Sequence, residues 1–252
     1  MSLSNVPSLH WTCCLMGLAG AILLGSGCAT NGRYVLLKEY SATGPVTTNS
    51  PLCGATVCIQ PFRCASSLVS PDPKTQPEQP EQFKFVEFTE EQDKTWDGEF
   101  HALKKTTVQA DLREIGNLRN MFGMVMSHAY ALNDPGIWLA DTLKMDLARQ
   151  GVAVVDPSHA DEADVCISGA IEFCRVDMYM KIWADLVVDL EVKPKGGAAM
   201  HKKLHTNGGQ VAWVGSTAEF YHPMRESRQK ISWLISREIQ NALKRGDVAK
   251  GQ

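Results

Sequence analysis

Val165-Cys166-Ile167-Ser168-Gly169-Ala170-Ile171-Glu172-Phe173-Cys174 alternates apolar with small or polar side chains, and Ile182-Trp183-Ala184-Asp185-Leu186-Val187-Val188-Asp189-Leu190-Glu191-Val192 does so again. A period of two places successive side chains on opposite faces of a strand. Each stretch therefore predicts a long strand with one mostly apolar face. Residues 176–181 are expected to form the bend that joins them into a hairpin.

Working outward, Asn133-Asp134-Pro135 marks a helix start. Asp134 can cap, and Pro135 suits the first helical position, where its missing N–H costs nothing. Leu139, Leu143 and Leu147 follow at intervals of four, and Gly151 ends the helix as a left-handed cap. Val152-Ala153-Val154-Val155 then reads as a short buried strand, and Ala55–Phe62 as an earlier one that Pro61 ends or places near an edge. Gly196-Gly197 and Gly208-Gly209 bracket an expected turn region, with a third strand over Gln210–Tyr221. Ile231, Leu234, Ile235, Ile239, Ala242 and Leu243 form a helical stripe within 224–245. Two such helices must bury their stripes, and antiparallel strands offer an apolar face. The expected fold is an α+β two-layer sandwich, a mainly antiparallel sheet with two principal helices packed on one face.

Upstream, the apolar run Leu15–Leu24 leads through Gly25-Ser26-Gly27 to Cys28. The run is shorter than the ~20 residues of a spanning helix and has the length of a signal-peptide core. Small residues before a cysteine suggest a bacterial lipoprotein cleavage site, with Cys28 acylated as the mature N-terminus. The alternative is an uncleaved N-terminal membrane helix over residues 11–27. Ala29, rather than Asp, follows the cysteine and leans the expected location towards the outer membrane, facing the periplasm. The resulting organisation is a signal peptide at 1–27, a flexible tether at 28–52, one α+β domain at 53–245 and a tail at 246–252. A long insertion is expected at 63–105. Within it, the proline-rich residues 65–82 read as a mobile loop and Phe83–Phe88 as a strand, while 89–112 carry conflicting signals.

The net charge of −3 argues against nucleic acid as a partner. Its distribution says more: residues 70–99 hold nine acids and three bases, residues 193–250 eleven bases and four acids. The choice is between solvated surface of both signs and a basic C-terminal face, including Arg225 and Arg228, that meets an anionic envelope partner or the acidic segment itself. Of eight cysteines, Cys53, Cys58, Cys64, Cys166 and Cys174 lie beyond Cys28. They could form a disulfide in an oxidising compartment or stay as buried thiols, and sequence does not give the pairing.

Ile115-Gly116-Asn117-Leu118-Arg119-Asn120-Met121-Phe122-Gly123, Ile137-Trp138-Leu139-Ala140, and Ala163-Asp164-Val165 with Gly169 and Ile171 resemble the YajG-type family of small bacterial lipoproteins. The resemblance covers roughly residues 53–62 and 112–245, and residues 63–105 depart from the family's shorter connection. It implies envelope binding or scaffolding, with no catalytic residue to carry across. Wider relatives include auxiliary lipoproteins of envelope transport systems. Read from the residues alone, Gly116 and Gly123 permit backbone angles closed to other residues. Asn120 can bond nearby backbone in a turn. Arg119 offers a planar fork for carboxylate or phosphate, its alternative being a sheet-edge ion pair. Arg119 and Asn120 are thus the candidate recognition loop.

No nucleophile elbow, phosphate loop, HExxH helix or dinucleotide glycine fingerprint occurs. His201 and His205 have helical ligand spacing but are expected in a loop. Asp185 and Asp189 could share a strand face as acid and base, but the outer face of an amphipathic strand explains them more simply. The expectation is therefore a non-enzymatic protein without metal or cofactor, tethered to a membrane through acyl chains on Cys28. It would bind an envelope protein or an anionic envelope polymer. The alternatives are an auxiliary lipoprotein of an ABC-type or lipid-trafficking system and an envelope-polymer hydrolase.

Overall fold

The computed structural model describes residues 33–37, 49–70, 73–80, 112–120, 122–210 and 217–250. Its elements are β1 (Arg33–Val35), β2 (Thr56–Ile59), β3 (Arg63–Cys64), β4 (Arg113–Arg119), β5 (Val125–Ala131), α1 (Pro135–Arg149), β6 (Ala153–Val155), a 3₁₀ turn (Pro157–Glu162), β7 (Val165–Tyr179), β8 (Lys181–Pro194), β9 (Met200–Gln210) and α2 (Thr217–Lys250).

The quoted hairpin is the spine of a nine-stranded mixed sheet. One edge of β7 pairs with β8 along its whole length, antiparallel, and β8 pairs with β9 in the same sense. The other edge of β7 carries three short parallel partners end to end: β2 at Val165–Ile167, β3 at Ala170–Ile171 and β4 at Val176–Met178. From β4 the sheet continues through antiparallel β5 to parallel β1, and from β2 to parallel β6. The helices form the second layer. α1 lies over β6, β7 and β3, and α2 over β8, β9 and β7. This is the two-layer α+β arrangement read from the sequence, with antiparallel pairing in the longest ladders.

Helix α1 starts as its sequence dictates. Asp134 Oδ1 accepts from Gly136 N at 2.7 Å and Ile137 N at 3.1 Å, and Gly151 closes the far end with φ +76°. Leu139, Leu143 and Leu147 are fully buried. An Asp134→Ala variant is expected to lose about 1–2 kcal/mol, the usual value of an N-cap, read as a lower urea midpoint. Ile231, Leu234, Ile235, Ile239 and Ala242 of α2 are likewise buried in one core with Leu186, Val188, Leu190 and Leu204. Burying each large aliphatic side chain contributes about 2 kcal/mol.

Several boundaries differ from the sequence reading, each for a physical reason. The tether expected over 28–52 is interrupted by β1: Val35 and Leu37 are buried, and Asn133 brackets Leu37 with hydrogen bonds to its N–H and C=O. Four residues, Tyr34-Val35-Leu36-Leu37, are too few to reveal a period. The bend expected at 176–181 shrinks to Met180, at φ +59°, because β7 runs on to Tyr179 and β8 starts at Lys181. A bulge at Glu172 turns the face of β7, since Ile171 pairs with Val188 and Phe173 with Val187. Cys174 and Val176 therefore continue the core cluster beyond it.

A strand lies over 200–210, so the glycine pair Gly208-Gly209 sits inside it; of the strand expected over 210–221, residues 217–221 belong to α2 and 211–216 lie outside the described residues. A Cβ at Gly208 would stand 2.1 Å from the Pro223 carbonyl oxygen, so glycine there lets α2 approach β9. The stretch read as a tail joins α2, which continues to Lys250. The expected insertion is also partly sheet and core. Residues 63–64 form β3, Leu68 is buried, and its carbonyl accepts from Cys174 N at 2.8 Å. The proline-rich stretch after it, read as mobile, is tied to β9. Glu78 N donates to the His205 carbonyl at 2.7 Å, and Thr75 O lies 2.6 Å from His205 Nδ1. The strand expected at 83–88 lies outside the described residues.

Candidate functional site

Arg119 ends β4 and Asn120 follows it, at the end of the sheet where β7 turns into β8. Arg119 Nε donates to both oxygens of Asp177 at 3.1 Å, and Arg175 Nη2 donates to Asp177 Oδ2 at 2.6 Å. Asp177 is fully buried, and the two guanidinium groups offset the cost of removing its charge from water. Asn120 Oδ1 accepts from Phe122 N at 2.9 Å and Met124 N at 3.0 Å, with Gly123 at φ +79° completing the turn. The pair is brought together as expected, but its polar groups hold the chain. Arg119 makes the sheet-edge ion pair, and Asn120 shapes the loop.

What this loop presents outward is apolar. Phe122, Met124, Val125 and Met126 are exposed, and so is Met180 on the neighbouring turn. Sequence reasoning passed over these residues. The available signal was a set of large apolar side chains beside turn glycines, where burial is geometrically difficult.

Arg225 and Arg228 are the clearest correction. Charge distribution assigns them to a basic recognition face, but their exposures are 0 % and 1 %. Arg225 Nη2 meets His222 Nδ1 at 3.1 Å. Arg228 Nη1 bonds the Asp146 carboxylate and Ser232 Oγ, joining α2 to α1. Both arginines fall on the packed side of α2, next to the apolar stripe, a position that charge counting cannot distinguish from the surface.

Much of the remaining C-terminal basic charge is matched within the chain. Lys202 bonds Glu238 at 2.7 Å, Lys203 pairs with Glu172 at 2.6 Å, and Lys230 with Glu226 at 2.8 Å. Arg237 reaches Glu78, in the acidic segment, at 3.1 Å and lies 5.5 Å above the Trp233 ring. These last two residues line a groove of about 790 Å³ between α2 and residues 51–52 and 78–80. Burial works against the Glu238 carboxylate. The hydrogen bond and charge of Lys202, a bond from Asn241 and the charge of Arg237 outweigh it and hold the group below its usual range. A lowered folded-state pKa stabilises above the unfolded value and is lost as pH falls through the folded one. Thermal scans from pH 6 down to pH 3 are therefore expected to fall more steeply in the wild type than in Glu238→Gln.

His205, expected in a loop, lies on β9 with its Nε2 3.1 Å from Asp185 Oδ1. That contact commits both groups to joining β8, β9 and the proline-rich segment. Among the described residues, no group of three or more His, Cys, Asp or Glu could hold a metal ion.

The five downstream cysteines are thiols, with Cys53 exposed and Cys58 and Cys174 buried. Burial, reinforced by neighbouring Cys166 and Asp156, pushes the Cys58 thiol up to about 11. Burial and Asp134 do the same for Cys64, also to about 11. Burial raises Cys174 further. At pH 8 only about one Cys58 or Cys64 in a thousand is thiolate, the reactive form. Iodoacetamide at pH 8 is expected to modify Cys53 first in the native protein, as mass mapping over time would show.

No family model matches the chain, and no curated protein matches its sequence. Solved structures do resemble it at low identity. The crystal structure of protein XCC0632 from Xanthomonas campestris, of family DUF330, is 10 % identical with a TM-score of 0.47, covering 87 % of this chain and 99 % of that one. A second crystal structure, of an uncharacterized protein, is 9 % identical with a TM-score of 0.46, covering 83 % and 99 %. The hypothetical protein CT253 of Chlamydia trachomatis is 10 % identical with a TM-score of 0.30, covering 75 % and 97 %.

Proposed function

We propose that this chain is a lipid-anchored envelope protein, held in the periplasm by acyl chains on Cys28, that acts by binding or scaffolding rather than by turnover. One observation carries the reading: the apolar run 15–24 ends in Gly25-Ser26-Gly27-Cys28, and a structural strand begins at Arg33, only five positions later. A membrane address and a folded domain thus follow each other almost directly. The polar residues that first suggest chemistry support a binding role. Arg119 serves Asp177, Asn120 serves its turn, and Asp185 serves His205. No helix of the described residues is long and apolar enough to cross a membrane.

The test is fatty-acid labelling of wild type and Cys28→Ser in cells, followed by separation of inner and outer membranes. Label in the wild type alone, in the outer-membrane fraction, is the expected result. Absence of label from both would overturn the anchor. In-cell crosslinking that captured no envelope component would overturn the binding role.

A further inference from the structure

The strand directions bring four chain segments to one end of the sheet. β4 runs parallel to β7, with Leu118 beside Met178, so the β4–β5 turn and the β7–β8 turn stand side by side. A Cβ at Gly123 would lie 3.9 Å from the Tyr179 ring. β5 starts at this end, and β1, parallel to it with Arg33 opposite Ala129, is entered from the same end. The two turn tips project Phe122, 77 % exposed, and Met180, 80 % exposed, with Met124 between β4 and β5. Clustered apolar side chains that a fold leaves in water mark an interaction surface. Beside them, among the described residues, stand exposed Lys181 and the arginines Arg119 and Arg175, which share the buried carboxylate of Asp177, with Asp185 across the ladder from Arg175.

Chain length decides what that surface meets. Cys28 lies five residues before Arg33, so it can stand no more than about 17 Å from it. Ala129, beside Arg33, is four strand residues from Val125, or about 13 Å. An acylated Cys28 therefore reaches at most about 4 Å beyond Val125, so a bilayer at this end would bring its headgroups against the tips. Resting on the anchor reading above, we propose that this end of the sheet docks on an anionic phospholipid bilayer, with Phe122, Met124 and Met180 in the interfacial layer. The occupant follows from shape as well as reach. Apolar groups on turn tips, with the exposed Lys181 beside them, fit a soft surface of acyl chains under anionic headgroups, where turn N–H and C=O groups still find water. The acyl chains hold the protein to the membrane; the tips fix which way the domain faces.

The test uses the full chain purified from cells and reconstituted into vesicles of phosphatidylethanolamine and phosphatidylglycerol. A phospholipid carrying a diazirine in its acyl chain is included. After illumination, peptide mapping locates the lipid adducts, and the mass of the Cys28 peptide reports acylation separately. Adducts on the peptides spanning 122–126 and 178–181 are expected. They should fall roughly tenfold in Phe122→Asp/Met180→Asp, a change of hydrophobic insertion worth about 1.4 kcal/mol. Ile137→Asp, an exposed apolar site on α1, should leave them unchanged. An acylated Cys28 peptide with unlabelled tips overturns the docking and leaves the anchor intact. A Cys28 peptide without acyl chains overturns the anchor and this inference with it. Tips that crosslink in cells to a protein in place of lipid also overturn the docking.

Discussion

Gly116→Ala is expected to destabilise the protein by about 4 kcal/mol or more, enough to lower Tm by roughly 8–16 °C in a domain of this size. The reason is steric. A Cβ at Gly116 would stand 1.6 Å from the Val176 carbonyl oxygen, an atom of neighbouring β7 backbone that no rotamer change can move. The φ of +156° adds strain that L side chains rarely accept. The loss should spread, because β5 pairs with β4 and β1 pairs with β5. Gly196→Ala separates the two effects. Its φ is +72°, but nothing lies within 4 Å of a Cβ there, so it should lose only about 1 kcal/mol. Urea titration of both variants checks the argument. A Gly116→Ala midpoint equal to that of Gly196→Ala would mean that β4 does not pair with β7 in this register.

Asp177→Ala comes next, at about 2–3 kcal/mol. Removing one partner of a buried ion pair usually costs about 3–5 kcal/mol, because the remaining charge loses its counter-ion without regaining water. Here the arginines are partly exposed, with side-chain exposures of 31 % for Arg119 and 17 % for Arg175, so solvent recovers part of that cost. Adding Arg119→Met to Asp177→Ala should return some of the stability, and a double-mutant cycle in urea would read the coupling. Independent, additive effects would show that the carboxylate serves something other than these arginines.

The spine of the fold was legible because its signals were long. Eleven residues of alternation in β8 outweigh any local accident, and the Asp134-Pro135 start with leucines four apart specifies α1 almost alone. What stayed hidden was short or depended on tertiary contact. β1 is three residues and gains its stability from β5. β9 carries two lysines, two histidines and a glycine pair, a loop-like composition until Gly208 is seen beneath Pro223. The bulge at Glu172 shifts an otherwise regular pattern by one residue. At the candidate site, sequence reading singled out the polar residues of the turn, since arginine and asparagine have evident binding chemistry, and the structure engages both within the chain. Apolar side chains beside the turn glycine Gly123 hint at the exposure of Phe122, but that Met180 stands next to it follows from strand directions, which no local pattern encodes. Arg225 and Arg228 misled for the converse reason: buried arginines that bridge two helices have the same composition as a basic surface.

The tie between residues 75–79 and β9 bears on how copies of this chain meet. Among the described residues β9 is an outer strand, and an outer strand with open N–H and C=O groups is a template for another copy. Here Glu78 takes the His205 carbonyl, while Pro77 and Pro80 on either side have no N–H to offer onward. The segment thus acts as a selvedge: it accepts the last row of the weave and offers little on which to start another. For molecules anchored as proposed, confined to two dimensions in one shared orientation, edge-to-edge encounters would be far more frequent than in solution. For such a population, a finished border separates neighbours that jostle from neighbours that polymerise.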